Sequence, residues 1–180
     1  TKTDNINGKF FNTEEVVNYF SSKKINYSKF NRNLNWSEIF NEYQKNSENF
    51  KYFSFLSDDD IFLKNDTIRD GIKHLEEDNN ISFVLSSSSI FQEDDQVNWE
   101  REFPVDTKLV KGNDYLKLFC KTEAYQHSST TGIFRIKNFL DTDCFKVNKI
   151  INNNNLQVGY GIDSRVYFRN SLKGNVLLMG

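Results

Sequence analysis

Proline, methionine and cysteine are almost missing from this 180-residue chain, which holds one proline, one methionine and two cysteines. With Pro104 as the single rigid turn former, reversals must rely on Asn, Asp, Ser and the eight glycines. Cys120 and Cys144 sit in no CxxC or Cys/His cluster and read as reduced, partly buried thiols of an intracellular protein rather than a disulfide. An excess of positive charge is missing too. Twenty-three basic and 25 acidic residues leave a net charge of -2, no polycation for gripping a phosphate backbone, which argues against a general nucleic-acid binder. No apolar run approaches the ~20 residues of a membrane helix. The first residues, Thr1-Lys2-Thr3-Asp4, lack the apolar stretch of a signal peptide. Four glycosylation-like Asn-x-Ser/Thr triplets, at Asn26, Asn35, Asn65 and Asn80, are what chance gives in a chain this rich in Asn.

What is present is lean but sufficient for a core. Hydrophobic residues make up 37% of the chain, below the roughly 45–50% of a typical domain even with the glycines added. Aromatics reach 15%, with 17 Phe and 8 Tyr, so a core can be built from few, large side chains. At this length one ordinary domain buries most of its apolar surface without metal or disulfide staples.

Apolar spacing predicts alternating elements, with no linker or repeat between them. Thr13 caps a short helix with Val16, Val17 and Phe20 inward, and residues 25–30 alternate as a half-buried strand. Trp36, Ile39, Phe40 and Tyr43 place an amphipathic helix over 35–46. Residues 52–56 form an apolar strand, 67–77 a helix with Ile68, Ile72 and Leu75 on one face, and 81–85 a buried strand. Helices are further expected over 113–122 and 163–170, the latter capped by its own first residue, and strands over 131–136 and 176–179, the last without a covering element. Residues 152–155 read as a loop tip. Strand, helix, strand, helix, strand indicates parallel βαβ units in an α/β fold.

In an open parallel sheet, ligands bind beyond the carboxyl ends of strands. Asp58, Asp59 and Asp60 follow directly on an aromatic strand. Three adjacent carboxylates repel one another, and a hard divalent ion with oxygen ligands, typically shared with phosphate, relieves that repulsion. A solvated turn is the plainer reading; placement at the end of a hydrophobic strand favours the metal. Glu93-Asp94-Asp95 lacks such a strand and reads as a solvated loop, with Trp99 a half-buried loop aromatic.

Residues 52–63, YFSFLSDDDIFL, resemble the strand and metal motif of family 2 type glycosyltransferases, inverting nucleotide-sugar transferases with the GT-A fold. The resemblance continues in order. Thr3-Asp4-Asn5 resembles the acidic end of the family's second strand, and Ile25-Asn26-Tyr27 with residues 31–35 its third strand and Asn-rich helix entry. Residues 131–135, TGIFR, resemble the strand bordering the acceptor site, and 159–163, GYGID, the segment that delivers the catalytic carboxylate at a helix start. It implies a GT-A (Rossmann-like) mixed, mostly parallel sheet spanning 1–180, with a nucleotide-binding half over 1–90 and an acceptor-side half over 91–180. It also implies a fold incomplete at the amino end, because the family's first strand and its Pro-x-Tyr-Asn-like turn have no counterpart. Ile162 stands where the family usually carries a second acid.

The roles implied are these. Asp58, Asp59 and Asp60 would hold Mn²⁺ or Mg²⁺, with either Asp59 or Asp60 as main ligand. Asp4 would contact the nucleobase, and Asn31 or Arg32, with Asp58, the ribose or phosphates. Asp163 would be the general base, although plain helix capping also explains an Asp there. His74 reads as exposed, and His127 as a less favoured third metal ligand. The implied partners are a nucleoside diphosphate sugar donor and a carbohydrate, glycolipid or protein acceptor, with no nucleic acid, in a cytoplasmic enzyme that can sit against a membrane through a partner. A non-catalytic sugar or nucleotide-sugar recognition module of the same fold is the alternative. A nucleotidyltransferase would want a Gly-rich phosphate loop near the amino end, and none is visible.

Overall fold

The computed structural model describes residues 3–6, 9–12, 39, 49–56, 64, 66–91, 97–101, 107–121, 132–141 and 162–180. These fall into two compact units, Thr1–Leu34 and Asn35–Gly180. In the first, β1 (Thr3–Ile6) and β2 (Lys9–Asn12) form an antiparallel two-stranded sheet in which Asp4 pairs with Phe11. The helix expected after Thr13 and the strand expected over 25–30 lie outside the described residues, as does the helix over 35–46 except for the helical Ile39.

The second unit is a five-stranded sheet between helices. Its strands are β3 (Tyr52–Ser54), β4 (Ile81–Ser86), β7 (Lys108–Val110), β8 (Gly132–Arg135) and β9 (Asn175–Met179), in the order β3-β8-β4-β9-β7. A separate antiparallel pair, β5 (Ser88–Phe91) with β6 (Val97–Arg101), follows β4. The α/β class and a mixed sheet therefore hold, but the sheet is mostly antiparallel rather than mostly parallel. Among the described residues only β4 and β9 are parallel neighbours; β8 runs antiparallel to both β3 and β4, and β7 antiparallel to β9. Periodicity identifies elements and is silent on their lateral order, so the insertion of β8 between β3 and β4 had no signature in the spacing. Likewise β9, expected to lie uncovered, is an interior strand, with Val176 and Leu178 buried in the core. Trp99, expected in a loop, belongs to β6 and pairs with Ile90.

Helix α1 (Thr67–Glu77) packs on one face of the sheet, where Leu75 joins Ile81, Val84, Ile133 and Leu177, with Ile68 and Ile72 at the rim. Helices α2 (Gly112–Lys121) and α4 (Ile162–Ser171) cover the other face, joined by the short α3 (Ile136–Asp141). There Tyr115, Phe119, Val166 and Tyr167 meet Phe83, Leu85, Phe134, Val176 and Leu178. Phe83 lies at the middle of that layer: its ring stands 5.6 Å from Tyr115 edge-on and 5.2 Å from Phe134 in a stacked pair. Such pairs add about 0.5–1.5 kcal/mol each beyond area burial, which is how a lean composition still packs. β4 is buried on both faces, hence its unbroken apolar run.

A bulge interrupts β4. Ile81 pairs with Asn175 but the next paired residue, Val176, faces Phe83, so Ser82 is the extra residue. Its buried hydroxyl donates to the Asn170 carbonyl at 2.6 Å and accepts from Asn138 Nδ2 at 3.2 Å, tying β4 to α4 and α3. Next to it, Asp78 closes the α1–β4 link by accepting from the Asn80 amide at 2.8 Å. Cys120, expected to be partly buried, is exposed on α2, because Tyr115 and Phe119 take that helix's inner face. No helix among the described residues is long and apolar enough to cross a membrane.

Candidate functional site

Strand directions decide which edge of the sheet is open to ligands. Because β3 and β4 are both antiparallel to β8, they point the same way, and β9 is parallel to β4. Three carboxyl ends thus share one edge. Register confirms the level: Ser54 is paired with Ile133, as Val84 is, and Met179 with Ser86. Ser54 Oγ donates to the Gly132 carbonyl at 2.9 Å, and the Ser87 amide donates to the Met179 carbonyl at 3.2 Å, so one side-chain bond and one backbone bond close the edge. Beyond it Leu56 and Ser87 are exposed.

Two helices begin at this edge. Helix α1 returns to the start of β4 through Asp78–Asn80, and α4 to the start of β9 through residues 172–174, so both end at the amino edge. Their amino ends, on opposite faces of the sheet, therefore rise toward the carboxyl edge, and each brings the positive end of its dipole there. At α1 that field is already met by protein carboxylates: Arg69 bridges Asp66 at 3.1 Å and Asp70 at 3.0 Å, all exposed enough for solvent to screen them. At α4 the first turn contains Asp163. The helix starts at Ile162, one residue earlier than its sequence indicated, so Asp163 is a first-turn residue rather than the cap.

The remaining site residues separate clearly. Asp58, Asp59, Asp60, Asn31 and Arg32 lie outside the described residues, as do His127 and the 93–95 acidic run. Asp4 lies in β1 of the first unit, within an antiparallel pair and not in the five-stranded sheet. Among the described residues no three His, Cys, Asp or Glu side chains gather where they could hold a metal ion. His74 is half-exposed beside Glu77 at 3.7 Å. Arg135, within the segment expected beside an acceptor, instead turns to the amino edge, where its guanidinium donates to the carbonyls of Leu75, Asp78 and Ile81. Sequence reasoning missed Ser86 and Ser87 as edge residues. Their signal was the one used for the aspartates, a polar run directly after a buried strand.

Beside β3, the Tyr52 hydroxyl and the Lys51 ammonium, 3.3 Å from Oε1, hold the Glu76 carboxyl below its ordinary value of 4.5. A depressed folded-state value means stability that is present above the unfolded value and lost as pH falls through the folded one. Glu76 is exposed, so salt screens the effect. Glu76→Gln is expected to lower the urea midpoint slightly at neutral pH and not at all in strong acid or molar salt; an equal difference in every condition would contradict this.

No protein-family model, curated protein sequence or solved structure matches this chain.

Proposed function

We propose that the chain is the body of an inverting, metal-dependent glycosyltransferase of GT-A type, moving a sugar from a nucleoside diphosphate to a glycan, glycolipid or protein hydroxyl. The observation that supports it best is convergence at one edge. The carboxyl ends of β3 and β4, and the first turn of α4 with Asp163, share the side of the sheet where open α/β sheets take ligands. The aspartate triplet follows β3 in sequence by a few residues.

Asp58, Asp59 and Asp60 are an all-oxygen donor set of the kind that suits Mn²⁺ or Mg²⁺, and the bound ion would neutralise charge on the leaving diphosphate. Asp163 accepts the proton of the attacking acceptor hydroxyl; the α4 dipole favours an anionic side chain in that turn. Attack from the face opposite the diphosphate inverts the anomeric carbon. The protein acts on the cytoplasmic side, at a membrane surface where the acceptor is lipid-linked.

Calorimetric titration of uridine and guanosine diphosphates with and without Mn²⁺ tests the reading. Asp59→Ala or Asp60→Ala is expected to weaken binding about tenfold or more. Asp163→Asn is expected to leave binding intact while sugar-nucleotide turnover drops by about 10²–10⁴. Binding that ignores the metal, or turnover indifferent to Asp163, would refute it; tight binding by the unmodified chain with no turnover would point to a recognition module.

A further inference from the structure

Among the described residues the buried polar side chains are Ser82, Asn170 and Ser171, and they gather at the carboxyl end of α4. The Asn170 carbonyl, beyond the reach of helical donors, accepts from the Lys173 amide at 3.0 Å and from the Ser82 hydroxyl at 2.6 Å. The Ser82 oxygen itself accepts from Asn138 Nδ2 at 3.2 Å, which leaves its one proton aimed at Asn170.

The bulge is what brings Ser82 there. Strict alternation after Ile81, which packs with α1, would give the α4 side to Ser82 and return Phe83 to the α1 side. With the extra residue, Ser82 and Phe83 both reach the α4 side.

Two kinds of contact hold α4, and one of them fixes its height. Val166 and Tyr167 pack into the layer of Phe83 and Phe134. Apolar contact is non-directional, and packed helices shear by small slides along one another. The short bond from a β4 hydroxyl to a helix carbonyl is directional and opposes such a slide. Because the helix is stiff, a slide at Asn170 reappears undiminished about 10 Å away in the first turn, which carries Asp163.

We propose that Ser82 is a positioning residue: its hydroxyl, aimed by Asn138, sets the axial height of α4 and with it the place of Asp163 at the carboxyl edge. This rests on the transferase reading, in which Asp163 is the base. A base misplaced by about 1 Å costs up to about a hundredfold in rate, whereas nucleotide binding through the aspartate triplet does not depend on α4.

Ser82→Ala is expected to cut turnover of UDP-glucose or GDP-mannose, whichever the unmodified chain consumes, about tenfold to a hundredfold. The Mn²⁺-dependent affinity for the matching nucleoside diphosphate is expected to stay within about twofold. Asn138→Ala, which frees the hydroxyl to rotate, should give a smaller loss in the same direction. Ile72→Ala thins the opposite face and should lower the melting temperature with turnover kept, separating positioning from lost stability. Double electron–electron resonance between nitroxides at Asn79 and Ser164, with both native cysteines replaced by serine, reads the height itself. Ser82→Ala is expected to shift or broaden that distance by about 1–2 Å, roughly one residue's rise, and Ser82→Thr to restore it. An unmoved distance, full turnover in Ser82→Ala, or an equal fall in Ile72→Ala would overturn this role alone. No turnover by the unmodified chain would refute the transferase reading and this role with it.

Discussion

Gly112→Ala is expected to destabilise the second unit by about 3–4 kcal/mol and lower its melting temperature by roughly 6–16 °C. Gly112 opens α2 directly against the end of α4, and a Cβ built there falls inside the carbonyl oxygens of Ser171 and Gly174. Neither oxygen belongs to a side chain that can swing away. Both are backbone, in a turn whose residues lead into the interior strand β9, so relief requires moving α2 or the turn itself. The sign is diagnostic, because alanine is the better helix former by about 1 kcal/mol. Were the close approach dispensable, the variant would gain stability. Urea unfolding followed by far-ultraviolet circular dichroism decides; a loss below about 1 kcal/mol would show that α2 can retreat freely.

Arg135→Met is expected to cost about 2–4 kcal/mol. Its guanidinium donates from Nε to the Ile81 carbonyl at 2.7 Å, and from one terminal nitrogen to the carbonyls of Asp78, at 3.0 Å, and Leu75. These oxygens mark the end of α1 and the start of β4, where backbone acceptors run out of helical donors. The cation also faces the negative end of the α1 dipole and lies 5.8 Å from the Tyr52 ring centre. One planar group therefore fastens a helix terminus, a strand start and an edge strand. Lysine offers a point charge in place of a fork and is expected to recover less than half the loss. Amide exchange should quicken first at the α1 carboxyl end; uniform protection in Arg135→Met would contradict this account.

Most of the second unit's elements were legible, for reasons visible in single residues. Ile68, Ile72 and Leu75 fixed α1 over 67–77, and the doubly buried β4 appeared as an apolar run over 81–85. Tyr115 and Phe119 marked α2, as Val176 to Met179 marked β9. Short elements were lost. β7 offers two apolar residues between lysines, a pattern expected of an edge strand guarded against further pairing, and the six-residue α3 is too short for periodicity to rise above noise. The alternation of Val97 and Trp99 in β6 was available but overshadowed by the acidic run before it. Strand order was out of reach, since which strands lie side by side depends on contacts far apart in sequence.

For the site, legibility divides along the same line. The family resemblance selected Asp163, and position directly after an aromatic strand drew attention to the aspartate triplet; topology adds that β3 and α4 open on a common edge. Arg135 shows the opposite case. An arginine beside a suspected acceptor strand invites a binding role, yet three backbone oxygens occupy it.

The parallel pairing of β4 with β9 joins residues 81–86 to residues 175–179, across about half the chain. A ribosome must therefore finish β3, β4, β7 and β8 before the strand that belongs between β4 and β7 emerges. Until then β4 has an apolar flank with no occupant, and the closing step is a long-range loop closure of the slow kind. The nascent chain passes through an interval of exposure in which a chaperone, or another copy's β9, competes for that vacancy.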